Sequence, residues 1–424
     1  MPKRKLSSTD LVGFYISSIL GAGILVIPGI AAQLAGPASI LAWFLLIIGT
    51  IPIALTFTII AGRYPGHGGI TTIIYPGLGV TIGKSAALML GLTMIIGNPF
   101  SGLAATSYLS ELIAIPEGWP FATVAYGFLL LSVAYNFMPL KSSALGQRIL
   151  TASIILILLI VCLLGLPNVE TSRLQPFMPH GWDGVAGALV VGFFSFLGWE
   201  NVVAISKDVK DPVNSFRKAF WVSLGVIALL YLMLAFFVVT AAPTDVIKEK
   251  ITIVSYLLPV GLGDWVGKFG AIFAIVIIVI SNNAWVMGAA RLMVSLSHQE
   301  ILPKSIAKEN EHGVPTNALL FLAVGYALAV AAYQALGLSE EDLLALVNAV
   351  FVILYSLAFY SGIVLFKHKS EKRWAISALL LSMVFAFIVG KTLIWAVLIA
   401  TASYILVYGL GYRSQQKLQL EQSE

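Results

Sequence analysis

The sequence predicts an all-α integral membrane protein with twelve transmembrane helices, and two observations lead to this prediction. Of the 424 residues, 59% are hydrophobic and 11% are charged, whereas roughly a quarter of the residues in a soluble domain carry a charge. Apolar stretches of about 20 residues recur along the chain, and each can cross a hydrocarbon core of about 30 Å as a helix. The predicted spans lie at about 9–34, 38–61, 84–112, 119–138, 143–167, 184–205, 218–242, 266–297, 315–335, 341–366, 374–390 and 392–411.

The Lys and Arg residues predict the orientation of these spans. An even number of spans puts both termini on one side of the membrane. Five of the 25 Lys and Arg residues lie on the opposite side, which leaves 20 on the side of the termini. Because cytoplasmic loops carry the excess of positive charge, the N- and C-termini are expected in the cytoplasm, with the spans in the cytoplasmic (inner) membrane. The lipid bilayer then accounts for the net charge of +5 without a nucleic-acid partner.

Two glycine interruptions predict an internal symmetry. Gly21 and Gly23 interrupt the first span, and Gly198 interrupts the sixth. In many transporters, interrupted spans at matching positions of two inverted halves point to the binding site. The predicted parts are one transmembrane domain over 1–412, made of a first repeat over about 9–167, a second over about 184–366 and extra helices over about 374–411, and a cytoplasmic tail over 413–424.

The Gly-Ala-Gly stretch of the first span has two interpretations. A glycine inside a helix costs about 1 kcal/mol relative to alanine, so Gly21 and Gly23 weaken the helix without forcing it open. They can instead allow a neighbouring helix to pack closely. If the helix breaks, the N–H groups of the Gly21–Ile24 segment are free to bind an anion at the start of the second half-helix. The carbonyls of Ser18 and Ile19 would then accept from a cation, and the two ends would fit a zwitterion.

Glu200 is the carboxylate that the predicted spans place deepest in the membrane, at the middle of the sixth span. An ionisable residue at this depth is a functional hypothesis by default. Two roles remain open: Glu200 can bind and release a proton during a transport cycle, or it can hold backbone groups that the two interruptions set free. In both cases its side chain faces the protein interior rather than lipid.

Other polar side chains fall inside predicted spans and are expected to face the bundle interior, because an unpaired polar group in lipid is costly. They are Asn98 in the third span, Asn282 and Asn283 beside Trp285 in the eighth, and Asn348, Tyr355 and Ser356 in the tenth. For each of them, hydrogen bonding between helices and contact with a substrate or a bound ion remain open.

The patterns of a membrane-embedded enzyme are absent from the sequence. The five histidines lie in loops or at span ends and no HExxH motif occurs, which disfavours a zinc protease. No G-x-S-x-G elbow occurs to suggest a serine hydrolase. Cys162 is the single cysteine, so no intrachain disulfide can form. We therefore expect no enzymatic activity, no metal and no cofactor.

Several motifs, taken in their order, resemble those of the amino acid–polyamine–organocation (APC) superfamily. The segment ILGAGILVIPG, Ile19 to Gly29, resembles the family's Gly-x-Gly break followed by Ile and Pro, and YPGHGG, Tyr64 to Gly69, resembles its connector. FFSFLGWEN, Phe193 to Asn201, resembles the Phe-x-x-Phe-x-Gly-φ-Glu segment, and KDVKDP at 207–212 resembles the loop after it. The best match runs from Arg291 to Leu319 and resembles the Leu-Pro stretch that precedes the family's ninth span.

The resemblance implies a LeuT-type fold of two inverted five-helix repeats and transport of amino acids or related amines by alternating access. The chain is most similar to the subgroup of bacterial exporters for methionine and branched-chain amino acids. The resemblance also implies that Phe194 gates the site from outside and that Glu200 is the family's mid-membrane glutamate. The N–H groups that hold the substrate carboxylate would be those of Gly21, Ala22 and Gly23. The carbonyls that meet its amino group would be those of Ile19, Phe194 and Leu197.

The candidate substrate-binding residues combine this resemblance with the polar positions of the spans. They are Ile19, Gly21, Ala22, Gly23, Ile24, Asn98, Phe194, Leu197, Gly198, Asn282 and Trp285. Two departures from the family limit what carries over. Many members have Ser or Thr where this chain has Ala22, so that hydroxyl contact is missing. Some members use a lysine in the fifth span, and no charge lies between Ser153 and Leu164, which excludes coupling through such a lysine.

The leading hypothesis is a secondary transporter for small neutral, hydrophobic amino acids, with a proton or sodium as coupling ion and export as one direction. The neutral preference follows from the charged residues of the predicted spans. Glu200 is the one acid placed deep enough to pair with a cationic substrate side chain, and no base lies deep enough to pair with an acidic one. A cationic amino acid or polyamine exchanger and a non-transporting membrane sensor on the same fold remain as alternatives. The sequence leaves the oligomeric state open.

Overall fold

The chain folds into helices throughout the part that the structure describes. This computed structural model describes residues 6–21, 23–65, 69–137, 144–206, 209, 211–249, 252, 257, 264–311 and 313–421. Among these residues the extended backbone forms one isolated bridge, between Leu6 and Val209, and no strand. Ala22, His67, His312, the charged N-terminal residues 1–5 and parts of the motifs at 64–69 and 207–212 lie outside the described residues.

Nine helical stretches of the described residues are long and apolar enough to cross a membrane. Two of them, Gly23–Arg63 with 41 residues and Lys369–Leu410 with 42, have room for two crossings each, because one crossing takes about 20 residues. The chain is therefore a multi-pass membrane protein. The count of twelve spans stays a prediction.

The first half of the chain follows the predicted spans closely. Its helices are α1 (Ser8–Ile19), α2 (Gly23–Ala35), α3 (Ser39–Arg63), α4 (Thr71–Leu78), α5 (Val80–Gly97), α6 (Pro99–Ser110), α7 (Trp119–Asn136) and α8 (Ala144–Gly165). The segment between the second and third predicted spans contains the short helix α4. The third predicted span is divided at Asn98, where Pro99 starts α6, because proline has no N–H to continue the hydrogen-bond ladder of α5.

The second half begins with another interrupted span. Its helices are α9 (Gly181–Phe193), α10 (Asn201–Ala204), α11 (Pro212–Ala241), α12 (Thr244–Glu249), α13 (Asp264–His298), α14 (Thr316–Leu336), α15 (Glu340–Leu365), α16 (Lys369–Val389) and α17 (Leu393–Glu421). Helix α17 continues through most of the polar C-terminal segment that follows the last predicted span. A turn at Gly390, with a φ of 61°, separates α16 from α17.

The first span is interrupted where the glycines lie. A capping box of Ser7 and Asp10 starts α1, and the helix ends at Ile19 because Leu20 leaves the helical region with φ −79° and ψ 63°. The next helix begins at Gly23. Of the two interpretations of the Gly-Ala-Gly stretch, the described backbone on either side of residue 22 fits a break.

The sixth predicted span is interrupted at Gly198. Helix α9 ends at Phe193, a single 3-10 turn covers Phe194–Phe196, and Leu197 is extended with ψ 142°. Gly198 has a φ of 123°, a backbone conformation that residues with a Cβ avoid. The chain becomes helical again at Asn201 for one turn.

Tertiary packing brings the two interruptions together. Helix α2 packs along α9, and α1 packs against α8 and α11. A Cβ on Gly198 would lie 2.7 Å from the carbonyl oxygen of Ser18, near the end of α1. The buried rings of Trp43 and Tyr231 stack beside this contact with centroids 4.5 Å apart. The site is therefore held between helices that are far apart in sequence.

Candidate functional site

A cavity of about 70 Å³ lies between the two interruptions. Its wall combines the end of α1, the start of α2 and the turn after α9. Helices α5, α6, α13, α14 and α15 complete it. None of the described residues that line it is Asp, Glu, Lys, Arg or His, so this part of the wall presents no ionised side chain to a ligand.

Most of the predicted substrate-binding residues line this cavity. They are Ile19, Gly21, Gly23, Asn98, Phe194, Leu197, Asn282 and Trp285. Ile24 and Gly198 lie next to lining residues in the chain but do not themselves form the wall. Ala22 lies outside the described residues. The fold thus gathers predicted residues from four parts of the chain into one wall, while their roles toward a substrate stay predictions.

A side chain at Gly23, at the start of α2, would be in tight contact with its neighbours. A Cβ there would lie 3.2 Å from Ile27 Cδ1, 3.3 Å from Ser195 Oγ and 3.8 Å from Phe194 Cδ1. The first N–H groups of a helix have no partner within the helix and carry its positive dipole end. The absence of a side chain at Gly23 leaves these groups open to a ligand, as the predicted contact with a carboxylate requires.

The carbonyl oxygens at the two interruptions can accept hydrogen bonds from a ligand. Ile19 O accepts from Gly21 N at 2.9 Å, and Phe194 O accepts from Leu197 N at 3.1 Å. A carbonyl oxygen has two lone pairs, so each of these can accept one more hydrogen bond. An ammonium group in the cavity would have these two acceptors available.

Phe194 lines the cavity beside the start of α2. Its ring packs against Phe100 of α6 in an edge-on arrangement with centroids 5.3 Å apart. Phe194 follows directly after α9 in the chain. Its ring also lies next to the start of α2, because a Cβ on Gly23 would stand 3.8 Å from Phe194 Cδ1. A ring at this point can close the cavity when it turns, and the outer gate remains the predicted role of Phe194.

Glu200 lies behind the cavity wall rather than in it. The side chain is buried, and its Oε2 accepts from the Gly198 N–H at 3.0 Å and from the Tyr355 hydroxyl at 2.6 Å. The Tyr355 ring is itself fixed against Phe57, with centroids 4.9 Å apart. Glu200 therefore ties the sixth-span interruption to α15, as its structural interpretation expects, and the proton-binding interpretation stays open.

The amide side chains divide between helix pairing and the cavity. Asn348 donates to Val190 O at 2.6 Å, and Asn283 accepts from Asn136, so both join helices. Asn282 donates to Ser132 Oγ at 3.2 Å, while its buried Oδ1 makes no hydrogen bond with the described residues. Asn282 thus belongs to both classes, and Asn98 belongs to the cavity wall.

A sequence model for amino acid permeases matches residues 6–413 of the chain. The chain belongs to the amino acid permease family. This confirms the resemblance to the APC superfamily and the prediction that the protein is a transport protein and not an enzyme.

The relatives of this permease are distant but cover most of its length. It is 25% identical over 422 residues to the uncharacterized amino acid permease YecA of Bacillus subtilis (strain 168), which is 97% of each chain. It is 24% identical over 410 residues to the L-methionine/branched-chain amino acid exporter YjeH of Escherichia coli (strain K12), with 94% and 95% covered. It is also 24% identical over 353 residues to the chloroplastic cationic amino acid transporter 7 of Arabidopsis thaliana, with 76% of this chain and 59% of the plant protein covered.

The cavity of this permease contains residues that sequence reasoning missed. They are Thr93, Met94, Gly97, Ser101, Ser195, Ser281, Tyr326, Val347 and Phe351, whereas Ser18, named beside Ile19 for its carbonyl, also lines the cavity. Small hydroxyl residues and apolar residues in spans do not stand out in a sequence, because the same residues fill ordinary helix contacts. Ser195 had one available signal, since it lies inside the FFSFLGWEN motif between two residues that were singled out.

Proposed function

We propose that this permease is a secondary active transporter of small neutral, hydrophobic amino acids. The proposed architecture is the LeuT-type fold of twelve spans with two inverted five-helix repeats, in a transporter domain over 1–412 with a cytoplasmic tail over 413–424. Both termini would face the cytoplasm, with the protein in the inner membrane. Transport would proceed by alternating access, with a proton as coupling ion.

One observation carries the proposal: an uncharged cavity lies where the start of α2 meets the carbonyl ends of α1 and α9. The helix start offers main-chain donors to a carboxylate and the carbonyls offer acceptors to an ammonium group. The substrate side chain would then contact Met94, Val347 and Phe351 of the same wall. These apolar neighbours support leucine, methionine and similar substrates, in line with the name of the exporter YjeH.

The cationic alternative has a relative in its favour but less support in the cavity. A cationic substrate side chain that becomes buried in the cavity requires a carboxylate or several hydrogen-bond acceptors as partners. Glu200 is the acid nearest in sequence to the interruption, and its Oε2 is directed to Gly198 and Tyr355 behind the wall. A neutral side chain makes no such demand on the cavity.

A transport assay tests the proposal directly. The purified permease is reconstituted in liposomes, and uptake of radiolabelled leucine, methionine and arginine is measured with and without a pH gradient. We expect uptake of leucine or methionine, faster with the gradient, and none of arginine. Arginine uptake would favour the cationic alternative, and no flux of any amino acid would leave the sensor alternative.

Gly23→Leu serves as the inactive form in this assay. Its side chain would enter the space between Ser195 and Phe194, where a Cβ alone already lies 3.3 Å from Ser195 Oγ. We expect it to reach the membrane and to lose uptake, on the order of a hundredfold or more for the loss of a charged-group contact and of the cavity. Gly49→Leu is the matched control, because a Cβ on Gly49 meets nothing within 4 Å. Normal uptake by Gly23→Leu would refute the proposed carboxylate site.

A further inference from the structure

A buried serine hydroxyl lies at the sixth-span interruption without a role in the protein's own hydrogen bonding. Ser195 is 1% exposed and lines the cavity, and its Oγ makes no hydrogen bond with the described residues. The neighbouring Tyr231 hydroxyl donates to the Ser195 carbonyl oxygen at 3.3 Å, so the Tyr231 proton is already in use. Buried polar side chains are hydrogen-bonded in the large majority of cases. A ligand in the cavity can supply the hydrogen-bond partner that Ser195 Oγ lacks among the described residues.

The Ser195 hydroxyl lies next to the start of α2. Ser195 Oγ lies 3.3 Å from where a Cβ would stand on Gly23, the first residue of α2. The corresponding position on Gly21 is 3.6 Å from Ser281 Oγ, so hydroxyls from other helices flank both ends of the first-span interruption. Of the two, Ser195 is the more deeply buried, at 1% against 8% exposed.

We propose that the Ser195 hydroxyl donates a hydrogen bond to the substrate carboxylate, beside the N–H groups at the start of α2. This inference rests on the proposed function and adds a side-chain ligand to it. A hydroxyl has one proton to donate, and an anion held at the positive end of a helix is the acceptor that this place favours. The ammonium group would take the free lone pairs of Ile19 O and Phe194 O.

The hydroxyl is also held in place before a ligand arrives. Ser195 is the middle residue of the 3-10 turn Phe194–Phe196, and the hydrogen bond from Tyr231 of α11 anchors its carbonyl. The ring of Tyr231 is in turn stacked on Trp43 of α3. A donor fixed in this way loses little entropy on binding, which is the usual benefit of a preorganised site.

A binding experiment with Ser195→Ala tests this role. Purified wild-type protein and variant are titrated with the amino acid that the uptake screen identifies, and the melting temperature is followed with and without this ligand. Removing a hydrogen bond to a charged group weakens affinity about tenfold to a hundredfold. We expect that loss in Ser195→Ala, with a correspondingly smaller ligand-induced rise in melting temperature.

The protein without ligand separates this role from a structural one. A hydroxyl that is buried without a partner contributes nothing favourable to folding, so its removal leaves the melting temperature of empty Ser195→Ala unchanged or slightly higher. Ser107→Ala is the matched control, because the Ser107 hydroxyl is part-buried on α6 and donates to Leu103 O at 3.1 Å within that helix. Its affinity for the substrate should equal that of the wild type.

The outcomes decide between three assignments. Unchanged substrate affinity in Ser195→Ala overturns the proposal, and so does a lower melting temperature of the empty variant, which would give Ser195 a structural role. The amine that lacks the carboxylate altogether, such as 3-methylbutylamine for leucine, keeps the ammonium group alone. An equal loss of affinity for this amine in Ser195→Ala would place the hydroxyl at the ammonium group and also overturn the proposal. If the wild type binds no amino acid, the proposed function itself fails, before Ser195 is in question.

Discussion

Gly198 shows how one residue can set the geometry of a membrane site. Its φ of 123° suits glycine, and a Cβ would lie 2.7 Å from Ser18 O, so the two interruptions can meet because this position has no side chain. The Gly198 N–H, left without a helical acceptor, donates to Glu200. A single glycine and a carboxylate two residues away therefore satisfy the backbone that the break exposes, as a lipid environment requires.

Glu200→Gln tests whether this carboxylate also binds a proton. The amide oxygen of glutamine can still accept from the Gly198 N–H and from Tyr355, so the interruption should keep its shape. We expect uptake to persist while its pH dependence is lost, with initial rates within about twofold across roughly three pH units around neutrality, because the group no longer titrates. The measurement is the initial rate of uptake in liposomes at matched internal and external pH.

A companion variant distinguishes proton binding from hydrogen bonding at this position. Tyr355→Phe removes the hydroxyl that donates to Glu200 Oε2 at 2.6 Å and leaves the carboxylate in place. It should retain a pH-dependent rate. If Glu200→Gln responds to pH as the wild type does, Glu200 has the structural role alone.

At the scale of helices, close contacts between backbones hold the bundle around the cavity. Gly102 of α6 is one such contact, because a Cβ there would lie 2.5 Å from the carbonyl oxygen of Ala125 on α7. In a membrane, where lipid is as apolar as the helices, small residues at the interface let helices approach and gain packing energy. Helix α6 also contacts α2, through the Tyr108 hydroxyl that donates to Leu25 O at 2.7 Å.

Gly102→Ala should therefore destabilise the protein even though alanine favours helices. We expect a cost of about 1–3 kcal/mol from overpacking against a backbone oxygen that cannot move alone, seen as a lower melting temperature in detergent. Gly127→Ala on α7 is the control, because its Cβ meets nothing within 4 Å, and it should be neutral or gain up to about 1 kcal/mol. Equal melting temperatures for the two variants would contradict the close approach of α6 and α7.

At the scale of the whole molecule, the charge distribution predicts where the termini lie. The chain has 25 Lys and Arg residues. The predicted spans place 20 of them on the side of the termini and five on the other side, which favours cytoplasmic termini. Twelve spans require both termini on the same side. An odd number of spans would put them on opposite sides of the membrane.

Cysteine labelling tests this orientation. Cys162 is replaced by alanine, and a new cysteine is placed at Ser7 or at Ser423 in separate variants. In intact cells an impermeant maleimide should leave both cysteines unlabelled, and in inverted vesicles it should label both, because both face the cytoplasm. Labelling of one terminus in each preparation would contradict the even number of spans.

Much of the molecule was predictable from its sequence because membrane helices are encoded locally. The apolar spans from 38–61 to 392–411 correspond to helices whose bounds differ by a few residues at most ends, since each must satisfy its own backbone hydrogen bonds in lipid. Gly21 and Gly23 marked the place of the first-span interruption, although close helix packing was the alternative interpretation of these glycines. The division of the third span at Asn98 was not predicted, although Pro99 was its signal.

The sequence by itself determined the class of this protein, its helices and the positions of both interruptions, because composition, helix length and glycine act within a few residues. The tertiary structure alone decided that these interruptions meet, that Glu200 pairs with Tyr355 of α15 across 155 residues of chain, and that Ser195 faces the start of α2. Such contacts depend on how helices pack in three dimensions. A serine in an apolar span has the same local sequence whether it faces a cavity or a neighbouring helix.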